Sequence, residues 1–365
     1  MHHNNISAYF FGFNRWKRGQ TRKFFPQYTK KNLFFCASLE EALEKGLTPH
    51  GEIYIWGKKP FREVEDWAKV SKASLFRIED GFIRSVSLGS DLTRAYSLVI
   101  DSRGIYFDPT SPSDLEHLLN TYTFDEALLQ RAKKLHNYLI EKKISKYNIH
   151  QDKTLTLPHH TPSQKVLLVI GQVEDDASIA YGAKGLTNRK FLQTVRKKYP
   201  QAYLIYKPHP DVLAGNRIGN IPKEETLTYA NTIITNASLD SVLALCDEVH
   251  TMTSLVGFEA LLRGKSVHTY GLPFYAGWGL TTDAHTIPRR RAKRTLEELI
   301  AATYLLYPHY IDPFTHKPCT AEVTIANIEL MKIRYNTHLF YRLGINARNW
   351  CSRKIQLLIK VVLGE

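Results

Sequence analysis

The chain has 365 residues, a net charge of +14 and a pI near 9.4, with 43% hydrophobic and 23% charged residues. This is a globular composition in a chain too long for one ordinary core, so two domains are expected. Four well-separated cysteines with no CxxC pair suggest neither a zinc site nor a disulfide framework and fit a reducing compartment, and neither a signal-peptide pattern nor an apolar run of spanning length is visible.

The basic excess favours anionic partners: nucleotides, nucleic acid or an anionic membrane face. Residues 1–31 are basic and aromatic, among them Phe10, Phe11, Phe13, Arg15, Trp16, Lys17, Phe24 and Phe25. They read either as a first strand followed by a solvated basic loop or as a contact to an anionic surface. Asn32 to Ala37 and Glu52 to Trp56 read as strands. Between them Ser38 to Lys45 opens as a capped helix, with Ser38 as N-cap and Glu41 three residues on, which completes a βαβ unit. Leu75 to Ile78 is a further short strand running into Glu79-Asp80-Gly81. Leu98 to Ile100 is another, followed by a turn around Gly104 in DSRGIYFD. Leucine spacing predicts helix from Ser113 to about Ile144, and the polar, proline-containing stretch 151–164 reads as an interdomain linker.

The second half repeats the alternation. Strand Val166–Ile170, an unbroken apolar run, is expected to be buried on both faces of a parallel sheet. It leads through Gly171 and the acids Glu174, Asp175 and Asp176 to a helix at Asn188–Lys198. Strands at Ala202–Tyr206, Glu248–Met252 and Ser266–Tyr270 alternate with helices at Leu239–Cys246 and Gly257–Arg263. A helix follows at Thr295–Leu306 after the basic cluster PRRRAKR (288–294), and a helical region runs from about Ala321 to the end. Its last part mixes Trp350, Ile355, Leu357 and Leu358 with Arg348, Arg353 and Lys354, which suits either an anionic membrane surface or packing on the body. The expected fold is α/β: two Rossmann-like domains facing a cleft, 1–150 and 165–320, with C-terminal helices at 321–365.

Ligands of open parallel sheets bind beyond the carboxyl ends of the strands, and several candidates fall there. Lys207 and His209, two apart at a strand end and flanked by prolines, suit a phosphate as cationic donors or as acid for a leaving phosphate. Thr253 and Ser254 open a helix whose N-terminus suits an anion, although Ser254 also reads as a simple N-cap. Glu259 in the following turns is placed to accept from ribose hydroxyls or to be solvated. Glu79 and Asp80 before Gly81 suit a general base, with Arg84 and Arg94 near enough to hold an anion or pair with the acids. Gln172 and Ser178 flank the acidic triplet, and Gly277 lies in the aromatic–glycine loop PFYAGWG. No GxGxxG, no P-loop and no histidine-rich metal spacing is present, so no cofactor and no metal are expected. No nucleic-acid motif stands out either, and no nucleic-acid partner is expected.

Six segments occur in one order: EDGFIRS (79–85), DSRGIYFD (101–108), GQVEDDAS (171–178), KPHPD (207–211), TSLVGFEALLRGK (253–265) and PFYAGWGLTTD (273–283). In them the sequence resembles the capsule polysaccharide β-Kdo transferases of the KpsC (LipA) type over about residues 50–325. The resemblance implies a GT-B-like fold and CMP-Kdo as donor substrate. It also implies retaining transfer to a lyso-phosphatidylglycerol- or β-Kdo-terminated glycolipid, in the cytoplasm at the anionic inner face of the bacterial membrane. Such proteins usually carry two modules, and this chain has length for one. Under that resemblance Asp176 is the nucleophile of a double displacement and Asp80, or Glu79, the base for the acceptor hydroxyl. His209 and Lys207 serve the phosphate, Ser254 and Thr253 lie near it, Glu259 near the ribose, and Arg84 or Arg94 hold a carboxylate. The enzymatic alternative is transfer of another CMP-activated acid such as sialic acid; the non-enzymatic one is a glycan-binding subunit of an export complex.

Overall fold

The computed structural model describes residues 6–85, 93–146, 155–213, 215 and 217–363, with side chains beyond Cys351 described only at Lys354. It divides into two compact units: Met1–Ile105, Ile144–Ile149 and Thr303–Glu365 form the first, and Tyr106–Lys143 and His150–Ala302 the second.

The first unit is built on a seven-stranded sheet. Its strands are β1 (Ala8–Phe11), β2 (Leu33–Cys36), β3 (Glu52–Trp56), β4 (Ser74–Asp80) and β5 (Ser97–Asp101). In the sheet, β2, β1, β3 and β4 are parallel neighbours, and β5 joins β4 antiparallel. The N-terminal aromatics go into this sheet. Phe10 stacks on Tyr54 at 4.7 Å and Tyr54 on Phe76 at 5.0 Å, a ladder across β1, β3 and β4 with Phe35 of β2 tilted against Phe10. Rings at matched register bury large apolar area with favourable offset geometry. The basic stretch after β1 is a helix, Arg15–Thr21, rather than a loop, and it carries buried Gln20 and Thr21. A helix at Arg62–Ser71 crosses from β3 to β4 on Val64 and Ala68. The capped helix expected after Ser38 forms at Leu39–Glu44, with the Ser38 side chain accepting from the Glu41 N–H.

The second unit holds a six-stranded, wholly parallel sheet. Its strands are β6 (Val166–Ile170), β7 (Tyr203–Lys207), β8 (Thr232–Ile233), β9 (Glu248–Thr251), β10 (Ser266–Thr269) and β11 (Thr282–Asp283). Their order is β11-β10-β9-β6-β7-β8. Within the unit this is the doubly wound Rossmann order, in which the chain reverses direction of winding between the first and fourth strands. The apolar run of β6 is buried at every position because β7 and β9 flank it and helices cover it; Phe191, Leu192 and Val195 of helix Asn188–Lys198 pack there.

Two strands of the first sheet come from late in the sequence. β12 (Pro308–Ile311) pairs antiparallel with β5, and β13 (Pro318–Cys319) pairs with β12. Two helices follow, Ala321–Thr337 and Leu339–Leu363. The compact units therefore depart from the expected boundaries at 150 and 320. Helices Asp114–Thr121 and Glu126–Glu141 belong with the second unit, where Arg289 and Arg290 both reach Glu116 and the His136 ring reaches the Leu262 carbonyl at 2.6 Å. The expected linker lies partly outside the described residues, at 151–154. Further on, the Pro158 carbonyl accepts from the Tyr203 hydroxyl.

Candidate active site

In the second unit the candidates gather where β6 and β9 end, at the reversal of strand order, the usual ligand position of such sheets. Gly171 leaves β6 in a crowded place: a Cβ there would meet the Tyr206 hydroxyl at 2.4 Å. Gln172, 6% exposed, then spans to the end of β9. Its Oε1 accepts from the N–H groups of Thr253 and Ser254 at 2.9 and 3.1 Å, and its Nε2 donates to Thr253 Oγ1 at 3.0 Å. Thr253 Oγ1 donates to Ser178 Oγ at 3.3 Å, and Ser178 Oγ donates to Asp176 Oδ1 at 2.7 Å. The same Oδ1 accepts the Ser178 N–H at 2.9 Å, making Asp176 the N-cap of helix Ala177–Gly182.

The acidic triplet separates by function. Glu174 accepts the Asn188 N–H at 2.7 Å and fixes the start of the next helix, and Asp175 pairs with Arg217 at 3.0 Å. Asp176 is exposed, with Oδ1 held by two bonds and Oδ2 outside them. A carboxylate fixed through one oxygen presents the other in a set direction, which is what nucleophilic attack requires.

The anion seat expected at Ser254 is largely filled by the chain itself. The Thr253 and Ser254 N–H groups serve Gln172, and the Ser254 hydroxyl caps the Val256 N–H at 3.2 Å. The seven-residue helix Leu255–Leu261 carries Glu259 at 6% exposure, and the Tyr275 hydroxyl donates to the Ser254 carbonyl at 2.6 Å. Gly277 has a φ of +85°, lies against the Arg290 side chain and gives its N–H to Asp283 at 2.8 Å, so its place in the loop is conformational.

Lys207 ends β7 and donates toward the Ala237 carbonyl at 3.4 Å; burial lowers its pKa. His209 lies beyond the strand, before the short helix Pro210–Leu213. His209 Nδ1 accepts the Asp211 N–H at 3.1 Å. That bond uses the Nδ1 lone pair and assigns the proton of the neutral ring to Nε2.

In the first unit a small open pocket lies at the ends of β3 and β4, lined among others by Trp16, Lys17, Gln20, Asp80, Arg84 and Arg94. Lys17 Nζ lies 3.4 Å from the centroid of the Trp56 ring and 3.9 Å from Asp80 Oδ2. Arg84, 1% exposed, donates from Nε to Asp80 Oδ2 at 2.7 Å. Burial alone would raise the Asp80 pKa, but Arg84 and Lys17 outweigh it and hold the group at about 2. Glu79 goes the other way: burial, then the Asp80 charge beside it, push its carboxyl up to about 7. Neighbouring acids with pKa values driven apart are a recurrent acid–base arrangement. Sequence reasoning found both residues but not helix Arg15–Thr21, which supplies Lys17; the only signal was the basic–aromatic mixture itself. It also passed over Glu248, His250 and His268, whose ligand atoms lie within 4.8 Å of one another. The signal there was a Glu-x-His on one strand and a histidine on the next.

The capsule polysaccharide biosynthesis family model matches residues 52–310. The chain belongs to that family, in its KpsC/LipA type. It is 46% identical over 321 residues to the capsule polysaccharide modification protein LipA of Neisseria meningitidis serogroup B, covering 88% of this chain. The alignment takes in 45% of LipA, so the chain spans about half the length of that relative. Two solved structures from Thermosulfurimonas dismutans are similar throughout. The KpsC β-Kdo 2,7 transferase is 35% identical with a TM-score of 0.73, and the KpsC β-Kdo 2,4 transferase 31% identical with a TM-score of 0.76. This chain covers 99% of each, and 89% and 90% of it are matched in turn. The family accounts for the two Rossmann-like units of a GT-B-like glycosyltransferase fold.

Proposed function

We propose that this chain is a retaining β-Kdo transferase that moves Kdo from CMP-Kdo to a glycolipid or Kdo-terminated acceptor in building a capsule or related surface polysaccharide. The observation that carries the reading is the bond chain Gln172–Thr253–Ser178–Asp176, which orients one exposed carboxylate at the ligand-binding end of a Rossmann sheet. The likeness to two Kdo transferases supports the sugar.

In this account Asp176 Oδ2 attacks the anomeric carbon of the donor. The bond from that carbon to the phosphate oxygen breaks, and CMP leaves with the electron pair. Lys207 neutralises the phosphate, and His209 donates to it from Nε2–H. In the second step the acceptor hydroxyl oxygen attacks the same carbon, its proton passes to a base, and Asp176 leaves as a carboxylate. Two inversions give net retention. Glu79 is assigned as the base in preference to Asp80, because a carboxylate near pKa 7 takes a proton far more readily than one held at about 2. Arg94 and Lys17 are assigned to an anionic group of the acceptor.

The protein is also proposed to dock on an anionic membrane face through its C-terminal helices. No helix among the described residues is long and apolar enough to cross a membrane. Phe340, Leu343 and Trp350 are 88%, 52% and 62% exposed on helix Leu339–Leu363, near Arg342 and Arg348. The stripe at Ile355, Leu357 and Leu358 lies outside the described side chains. Transfer assays with CMP-Kdo and a β-Kdo-tipped glycolipid test the activity. CMP binding without transfer would favour a glycan-binding subunit, and turnover with CMP-sialic acid alone would reassign the donor.

A further inference from the structure

Glu248 and His250 are alternate residues of β9 and so share one face of the sheet; His268 of β10 lies opposite His250 in register. The His250 and His268 rings stack at 4.6 Å, nearly parallel. Each presents Nε2 to the same atom, Glu248 Oε2, at 3.4 Å. Neither contact makes a hydrogen bond: Glu248 Oε2 and His250 Nε2 are buried without one, and His250 is fully buried. Buried polar atoms left this way are costly and uncommon.

We propose that Glu248 Oε2, His250 Nε2 and His268 Nε2 bind a divalent transition-metal ion, zinc by the donor set. Two imidazoles and one carboxylate are established zinc donors. A tetrahedron with bonds of 2.0–2.1 Å has edges of about 3.3–3.4 Å, which is the N···O separation found twice here; the stacked rings hold their Nε2 lone pairs in parallel planes, so ligation requires the partly exposed His268 ring to turn out of the stack toward the ion. The surrounding bonds support the donors as metal sites require. Lys165 Nζ holds the other Glu248 oxygen, Oε1, and the Tyr270 hydroxyl lies 3.2 Å from His250 Nδ1. Glu248 and His268 side chains keep 12% and 14% exposure, which leaves a path for the ion and for a water as fourth ligand. The ion would tie two adjacent central strands together, on the side of the sheet where Lys165 and Tyr199 lead into β6 and β7, and it takes no part in the transfer chemistry proposed above.

The test uses the full chain stripped with chelator, with Cys351→Ser throughout so that this exposed thiol captures nothing. Zinc is titrated against a chromophoric competitor, and cobalt against its visible absorption. The expected result is one equivalent per chain, a cobalt spectrum of nitrogen and oxygen donors without thiolate charge transfer, and a zinc-dependent rise in Tm of roughly 5 °C at a hundredfold excess over Kd. His268→Gln and Glu248→Gln should each weaken binding by at least about tenfold and abolish the Tm rise. The cobalt spectrum needs no variant, so the proposal stays testable if one of them folds poorly. Failure of the wild type to take up an ion, a thiolate spectrum, or unchanged affinity in both folded variants would overturn it.

Discussion

Arg84 Nε donates to Asp80 Oδ2 at 2.7 Å from a side chain that is 1% exposed, and Lys17 approaches the same oxygen at 3.9 Å. Asp80 is therefore the counter-charge of a buried guanidinium before it is anything else. Removing it takes from the buried Arg84 guanidinium the carboxylate that its Nε bonds. Asp80→Ala is expected to cost about 3–5 kcal/mol of stability, read by urea or thermal unfolding. A loss under 1 kcal/mol would show that the pair is not a structural one.

The same environment divides the two acids by pH. With Glu79 up at about 7, the folded chain holds a proton there that the unfolded chain gives up near 4.5. Its contribution to stability therefore falls as pH rises from about 4.5 to 7. Activity should move in the opposite sense, rising through about pH 7 as the base ionises. Glu79→Gln should lower kcat roughly 100-fold or more and remove the acid limb from the kcat/KM profile. An unchanged limb in that variant would return the role to another group.

Ser178 and Thr253 are positioning residues for Asp176. Ser178→Ala removes one of the two bonds to Oδ1 and the link to Thr253. The expected effect is a fall in kcat of about 10- to 100-fold with KM little changed, since a misdirected nucleophile still allows donor binding. A change in KM alone would mean that this side chain contacts donor instead.

Much of this was legible in the chain itself. Val166–Ile170 could be read as a central parallel strand because an unbroken apolar run has few other uses, and Ser38 could be read as an N-cap because its partner lies three residues away. What could not be read depends on distant partners. Gln172 meets Thr253 across 81 positions, and Arg289 meets Glu116 across 173, which is why helices after Asp114 join the second unit instead of the first. Helix Arg15–Thr21 was hidden because its sequence is polar; what orders it is Lys17 over the Trp56 ring and near Asp80. The expected seat at Ser254 differs because local pattern shows where donors start but not that Gln172 already occupies them.

Membrane docking predicts a separable loss. Phe340→Ser with Trp350→Ser should sharply reduce cosedimentation with phosphatidylglycerol vesicles, while transfer to a water-soluble acceptor persists. High salt should weaken wild-type binding through the arginines. Equal sedimentation of both proteins would place the contact elsewhere.

The most direct measurement is the intact mass of the protein after exposure to CMP-Kdo generated in place, for wild type, Asp176→Asn and Asp176→Ala. The account predicts a gain of one Kdo residue in the wild type, discharged on adding acceptor, and no gain in either variant. Transfer of Kdo at the wild-type rate by Asp176→Ala, or an adduct that survives the substitution, would contradict it.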